Sequence, residues 1–167
     1  DACCVLKSSP SRRSTTVSRC RFSLLTTGGF KSGPATLQER ADFLFDPDRL
    51  ARRMAWFRHV TLPSIRAQQD ADLTFVVLAS DALPDRWKDE LAGAVGDMPM
   101  VALDFVAPGR HFQICNDAFT SRTAPDADVV AQFRLDDDDA VARDYVARLR
   151  RDFADCLAPL YRRGQAV

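Results

Sequence analysis

A chain of 167 residues can bury one core, and its 46% hydrophobic and 28% charged content is that of a globular domain rather than a disordered or fibrous one. Its 23 basic and 23 acidic residues cancel, so no net field draws it to nucleic acid or an anionic membrane, and no apolar run approaches the roughly 18 residues of a membrane span. Five scattered cysteines, none at C-x-x-C spacing, and only two histidines argue against a structural zinc site and fit reduced thiols in a cytoplasmic protein.

The charge balance is uneven along the chain: residues 1–20 carry a net +3 and the remainder −3. The opening, rich in Ser, Thr and Arg, reads as a disordered or non-native leader over residues 1–18, outside the fold. "RCRFSLLTT" (19–27) is the first expected strand, broken by "GGFKSGP" (28–34). After a polar stretch holding Phe43 and Phe45, "DPDRLARRMAWFRHV" opens a helix. Asp46 stands at the N-cap position, Pro47 at the first helical position, and Leu50, Met54 and Phe57 at i, i+4, i+7. Pro63 is expected to kink or restart this helix.

"LTFVVLAS" (73–80), β-branched and aromatic, predicts a strand buried on both faces, as in a parallel sheet. Leu83, Trp87, Leu91 and Val95 then mark one face of a helix, and "MVALDFV" (100–106) gives a third strand. Residues 111–123 are ambiguous between loop and short helix. "DVVAQFRLD" (128–136) is a fourth strand, followed by a helical stripe of Val141, Tyr145, Leu149, Phe153, Leu157 and Leu160. Strands alternating with helices imply an α/β fold with a mostly parallel sheet and helices on both faces, whose ligands bind beyond the carboxyl ends of the strands.

Four consecutive aspartates, Asp136 to Asp139, fall at that edge. As plain surface they would be solvated, with Asp139 capping a helix that opens near Ala140. But crowded carboxylates raise one another's pKa unless a cation compensates, and a hard divalent ion such as Mg²⁺ or Mn²⁺ does so with one or two carboxylates plus phosphate oxygens. An EF-hand loop is set aside because its sixth position, counted from Asp136, is Val141 rather than Gly. An aspartyl-phosphate phosphatase is set aside because its D-x-D would follow the first strand.

"RFSLLTTGGF", "RMAWFRHVTLPSIRAQQDADLTFVVLASDALP" and "AQFRLDDDDAVARDYVARLR" resemble the putative rhamnosyltransferase family of bacterial glycosyltransferases, over roughly residues 20–150. The resemblance implies a GT-A fold, a nucleotide-diphosphate sugar as donor, and a D-x-D motif holding Mg²⁺ or Mn²⁺. Carried over, Asp138 is the metal ligand and Asp136 faces the nucleotide, with Asp139 a cap or second ligand. The register Asp137/Asp139 satisfies the same pattern. Thr26 and Thr27 would lie near the nucleotide, and Ser80 and Asp81 near the base. Arg110 and His111 could meet phosphate, and Arg134 could pair with a carboxylate. Family members continue beyond this length with an acceptor-binding portion that supplies the catalytic base. Residues 19–167 thus read as the donor-binding half of an incomplete domain, with the hydroxyl acceptor open. Two alternatives stand beside it, a catalytically inactive α/β remnant and an unrelated Mg²⁺-dependent phosphoryl-transfer enzyme.

Overall fold

The computed structural model describes residues 3–6 (backbone only), 14–27, 36–70 and 72–159. Strands β1 (Cys3–Leu6), β2 (Ser14–Phe22), β3 (Leu73–Ser80), β4 (Val101–Val106) and β5 (Val129–Arg134) form one sheet of order β1-β5-β2-β3-β4. The β5-β2-β3-β4 portion is parallel throughout, and β1 runs antiparallel along β5. Helices α1 (Leu37–Leu44), α2 (Pro47–Trp56), α3 (Leu62–Arg66), α4 (Asp85–Val95), α5 (His111–Arg122) and α6 (Tyr145–Asp152) connect and cover the strands. This is the expected α/β architecture with a parallel sheet flanked by helices, of the Rossmann-like kind to which GT-A folds belong.

Two cores lie on the two faces of the sheet. Phe22, Phe75, Val77 and Phe133 pack with Leu50, Met54 and Phe57 of the α2 region, Leu83, Trp87, Leu91 and Val95 of the α4 region, and Val146 of α6. The rings of Phe22 and Phe57 lie 5.6 Å apart. On the opposite face Val17, Val76, Leu78 and Val130 pack with Cys115 and Ala118 of α5. Residues of one strand therefore alternate between faces, as the pleat requires.

Several elements depart from expectation. The first strand begins at Ser14 and ends at Phe22, so the sheet takes in residues 14–18, which composition alone had placed in the leader; Val17 and Ser18 are fully buried. A helix, α1, occupies part of the polar stretch to which the sequence assigns no element, opened by a capping box in which Thr36 and Glu39 satisfy each other's backbone N–H. The expected restart at Pro63 is present, with the proline in the first turn of α3. The chain passes from α2 to α3 through one π turn, Phe57–Thr61, where the Leu62 N–H reaches Phe57 O, and this loosens the ladder where the proline ring would otherwise crowd the preceding turn. The ambiguous segment is the helix α5.

The last helix opens at Tyr145, not near Ala140, so Asp139 does not cap it. Residues 141–143 instead dock on the α3 region, with the Val141 N–H on Ser64 Oγ (3.3 Å) and Gln68 Nε2 on Ala142 O (2.9 Å). The apolar stripe is turned by one position: Val146 is fully buried while Tyr145 and Leu149 are only partly so. The segment 28–34, Leu160 and leader residues 1–2 and 7–13 lie outside the described residues.

Candidate functional site

The site is assembled where the carboxyl ends of β2 and β5 lie side by side. The β2–β5 register sets Arg19 opposite Arg134, and the ladder runs on one step through Leu135 N–H to Arg19 O (3.0 Å). The pleat alternation also continues past β5. Phe133 and Leu135 face the core under α2, and Asp137 follows them inward, fully buried. Arg134 and Asp136 belong to the other face.

That alternation gives each aspartate a different environment. Asp136 accepts from Arg21 NH2 (3.1 Å) and lies 3.8 Å from Arg134 Nε. Asp137 is clasped by Arg53 of α2, whose Nε donates to Oδ2 (2.8 Å) and whose NH2 meets Oδ1. Arg53 NH1 also reaches Asp138 Oδ2 (3.0 Å), and Asp138 is 39% exposed. Asp139 is exposed, its N–H closing a turn on Asp136 O (3.1 Å). The cations that balance the aspartates here are thus arginine side chains. Among the described residues no three His, Cys, Asp or Glu gather closely enough to hold a metal ion by themselves.

Beside the aspartates is a cleft of about 590 Å³, partly open to solvent, whose walls include Arg21, Ser23, Thr26, Arg49, Arg53, His111 and Asp136. Beyond β2 the chain turns at Ser23, a non-glycine residue at φ 47, a conformation L-residues adopt at a cost and one that recurs at binding sites. Arg49 holds this turn, donating from NH1 to Ser23 Oγ (2.9 Å) and Leu44 O (3.0 Å). Thr26 pairs with Gly109 in an isolated parallel bridge, which joins the end of β2 to the start of α5. Arg40 NH1 donates to Thr26 O (3.2 Å).

His111 stands at the first position of α5 with Arg21 NH1 3.1 Å from its Nε2. Because a guanidinium only donates, Nε2 accepts and the ring proton sits on Nδ1. Burial, then the nearby charges of Arg21, Arg19 and Arg134, push the His111 pKa below its ordinary value, which keeps the ring neutral.

Of the residues expected near a nucleotide, the structure brings Thr26 and Asp136 into the cleft wall, with Asp138 joined to it through Arg53. Thr27 is exposed at the same edge. Ser80 and Asp81 end β3 but do not line the cleft; the buried Ser80 Oγ accepts from Ala82 N–H (3.2 Å), which gives it a turn-forming role. Arg110 is exposed. Sequence reasoning missed Arg21, Arg49 and Arg53. Their signal was present: Arg21 interrupts a buried strand, and Arg49 and Arg53 each precede an apolar stripe residue on α2 by one position.

The polar, arginine-lined cleft lies beyond the strand ends of a parallel α/β sheet, the edge at which ligands bind in that class of fold. The chain belongs to the putative rhamnosyl transferase family, whose model matches residues 15–167. It is thus of a glycosyltransferase family, and that membership implies a nucleotide-sugar donor. No curated protein matches the chain. No helix among the described residues is long and apolar enough to cross a membrane.

Proposed function

We propose that this chain binds a nucleotide-diphosphate sugar in the cleft beside Asp136, with Mg²⁺ or Mn²⁺ held by Asp136 and Asp138, for transfer of a rhamnose-type sugar to a hydroxyl acceptor. The observation that carries the reading is the alternation of the acidic run. Asp137 is turned inward on Arg53, and Asp136 and Asp138 are left on the rim, both bonded to arginines of the cleft wall. This favours the Asp136/Asp138 register over Asp137/Asp139, since a carboxylate fully buried on a guanidinium is a poor ligand for an incoming ion.

The donor set suits a hard divalent cation, which typically takes one or two carboxylates and fills its remaining positions with phosphate oxygens and water. The scarcity of protein ligands is therefore compatible with a metal that arrives with its substrate. Asp139, exposed next in line, is the further carboxylate able to complete the set. When bound, the cation would neutralise charge on the departing diphosphate.

The chain's own groups do the rest. Arg21, Arg49 and Arg53 supply guanidinium donors to diphosphate oxygens, a charge-assisted contact stronger than a neutral hydrogen bond. The neutral His111 holds the Arg21 guanidinium toward the cleft. Thr26 and Thr27 flank the nucleotide at the end of β2, and Asp81, exposed at the end of β3, is within the same edge for the base. Cys20 and Cys115 are buried free thiols, in keeping with a cytoplasmic setting.

Calorimetric titration with UDP or dTDP, with and without Mn²⁺, tests the reading. Binding should require the metal and weaken at least about tenfold in Asp138→Asn. Binding indifferent to Mn²⁺ would favour a remnant that binds nucleotide alone. Metal-dependent hydrolysis of a simple phosphate monoester would favour phosphoryl transfer instead.

A further inference from the structure

A second cleft, of about 610 Å³, lies on the α5 side of β2 and β5, lined among others by Arg19, Phe112, Asn116, Phe119, Gln132 and Arg134. Its position follows from the β2–β5 register. Arg19 stands directly opposite Arg134, two like charges on neighbouring strands, a pairing that destabilises a sheet unless something negative lies between. Arg21 joins them on the same face, and Asp136 is the carboxylate that Arg21 and Arg134 share, at 3.1 Å and 3.8 Å. Among the described residues no carboxylate lines the second cleft itself.

Arg19 differs from other half-buried arginines of this chain. Arg150 is held by Asp70 and Asp72, and Arg122 by Asp104. Arg19 instead lies over the Phe119 ring (5.3 Å), and its Nε and NH1 have no hydrogen-bond partner. Burial, together with Arg21 and Arg134, lowers its pKa, although Cys115 and Asp136 oppose the shift. Asn116 and Gln132 add neutral amides to the walls, and Phe112, 81% exposed, stands at the rim with no core to occupy. Two facing guanidiniums, amides and two phenyl rings make a site for an oxyanion attached to a flat or apolar body. The wall between the two clefts includes His111, whose Nε2 lies 3.1 Å from Arg21 NH1 on one side and 3.7 Å from Cys115 Sγ on the other.

We propose that this second cleft binds the acceptor by an anionic group, a phosphate or carboxylate held between Arg19 and Arg134, with the acceptor's body against Phe112 and Phe119. The inference rests on the donor reading of the first cleft and names the substrate class that would meet it. Arg134 lines the second cleft 3.8 Å from Asp136, which lines the first, so an acceptor anchored at Arg134 would bring a hydroxyl to the rim where the two clefts meet.

The test is binding of phenyl phosphate, benzoate and inorganic phosphate to the full chain, with and without saturating dTDP and Mn²⁺. Phenyl phosphate or benzoate should bind whether or not dTDP is present, and which of the two binds more tightly distinguishes a phosphate from a carboxylate acceptor. Arg134→Gln should weaken that binding about tenfold. Phe112→Ala should weaken phenyl phosphate but not inorganic phosphate, with an unchanged melting temperature. Competitive displacement by dTDP, wild-type affinity in both variants, or no binding of any probe would each overturn the proposal. Failure of dTDP itself to bind would sink the donor reading while the probes still decide the second cleft.

Discussion

Replacing Asp137 with Asn tests whether the middle of the acidic run is structural. The substitution keeps shape and removes charge, leaving Arg53 facing an amide. Deleting one partner of a buried ion pair costs about 3–5 kcal/mol when the survivor is stranded. Here Arg53 is 21% exposed and keeps Asp138 Oδ2 at 3.0 Å, so the cost should fall to about 2–3 kcal/mol. In a domain of this size that is a fall in melting temperature of about 5–10 °C. Urea and thermal unfolding followed by circular dichroism measure it, with Asp138→Asn, on the half-exposed neighbour, expected within about 1 kcal/mol of wild type. A double-mutant cycle with Arg53→Met should show a coupling of about 1 kcal/mol or more. If Asp137→Asn unfolds like wild type while Asp138→Asn is the costly change, the inward–outward alternation of the run is wrong, and with it the choice of metal ligands.

Arg49→Gln should weaken UDP or dTDP binding about tenfold, since it removes a cleft guanidinium and the tie to Ser23, and calorimetry reads this directly. His111 gives a pH signature. Its folded pKa is depressed by burial and by Arg21, so the unfolded chain, titrating near about 6.5, takes up the proton first. Stability is therefore full above about pH 6.5, falls as pH drops through the window down to the folded pKa, and levels below it. Denaturation curves of His111→Asn should lose that slope. Leu91→Ala, at a fully buried position of α4, should cost about 2–5 kcal/mol by urea titration.

The sheet and its helices were legible because their signals are local. The run Leu73–Ser80 is continuous and β-branched, and Leu83, Trp87, Leu91 and Val95 recur at helical spacing; each needs only its own neighbours to be read. The start of β2 was not legible, because Thr16 and Ser18 are polar yet buried in a central parallel strand, and their composition imitates a solvated leader. Helix α1 could have been found from its Thr36–Glu39 capping box, but the flanking turn residues masked it. The acidic run was visible as a string of charges, whereas its roles depend on distant partners: Arg53 is 84 positions from Asp137, and Arg21 is 115 from Asp136. No pattern within a window of the sequence carries such pairings. The late start of α6 follows from the docking of residues 141–143 on Ser64 and Gln68, which is also a tertiary effect.

The central claim is that a divalent cation joins the rim carboxylates to the donor's diphosphate. A crystal structure with Mn²⁺ and dTDP, using the anomalous signal of manganese to locate the ion, tests it most directly. The account predicts one manganese peak bound by Asp136 and Asp138 and by oxygens of both phosphates, with Asp137 still buried on Arg53. A manganese peak elsewhere, or a diphosphate bound away from the aspartates and free of metal, would contradict it.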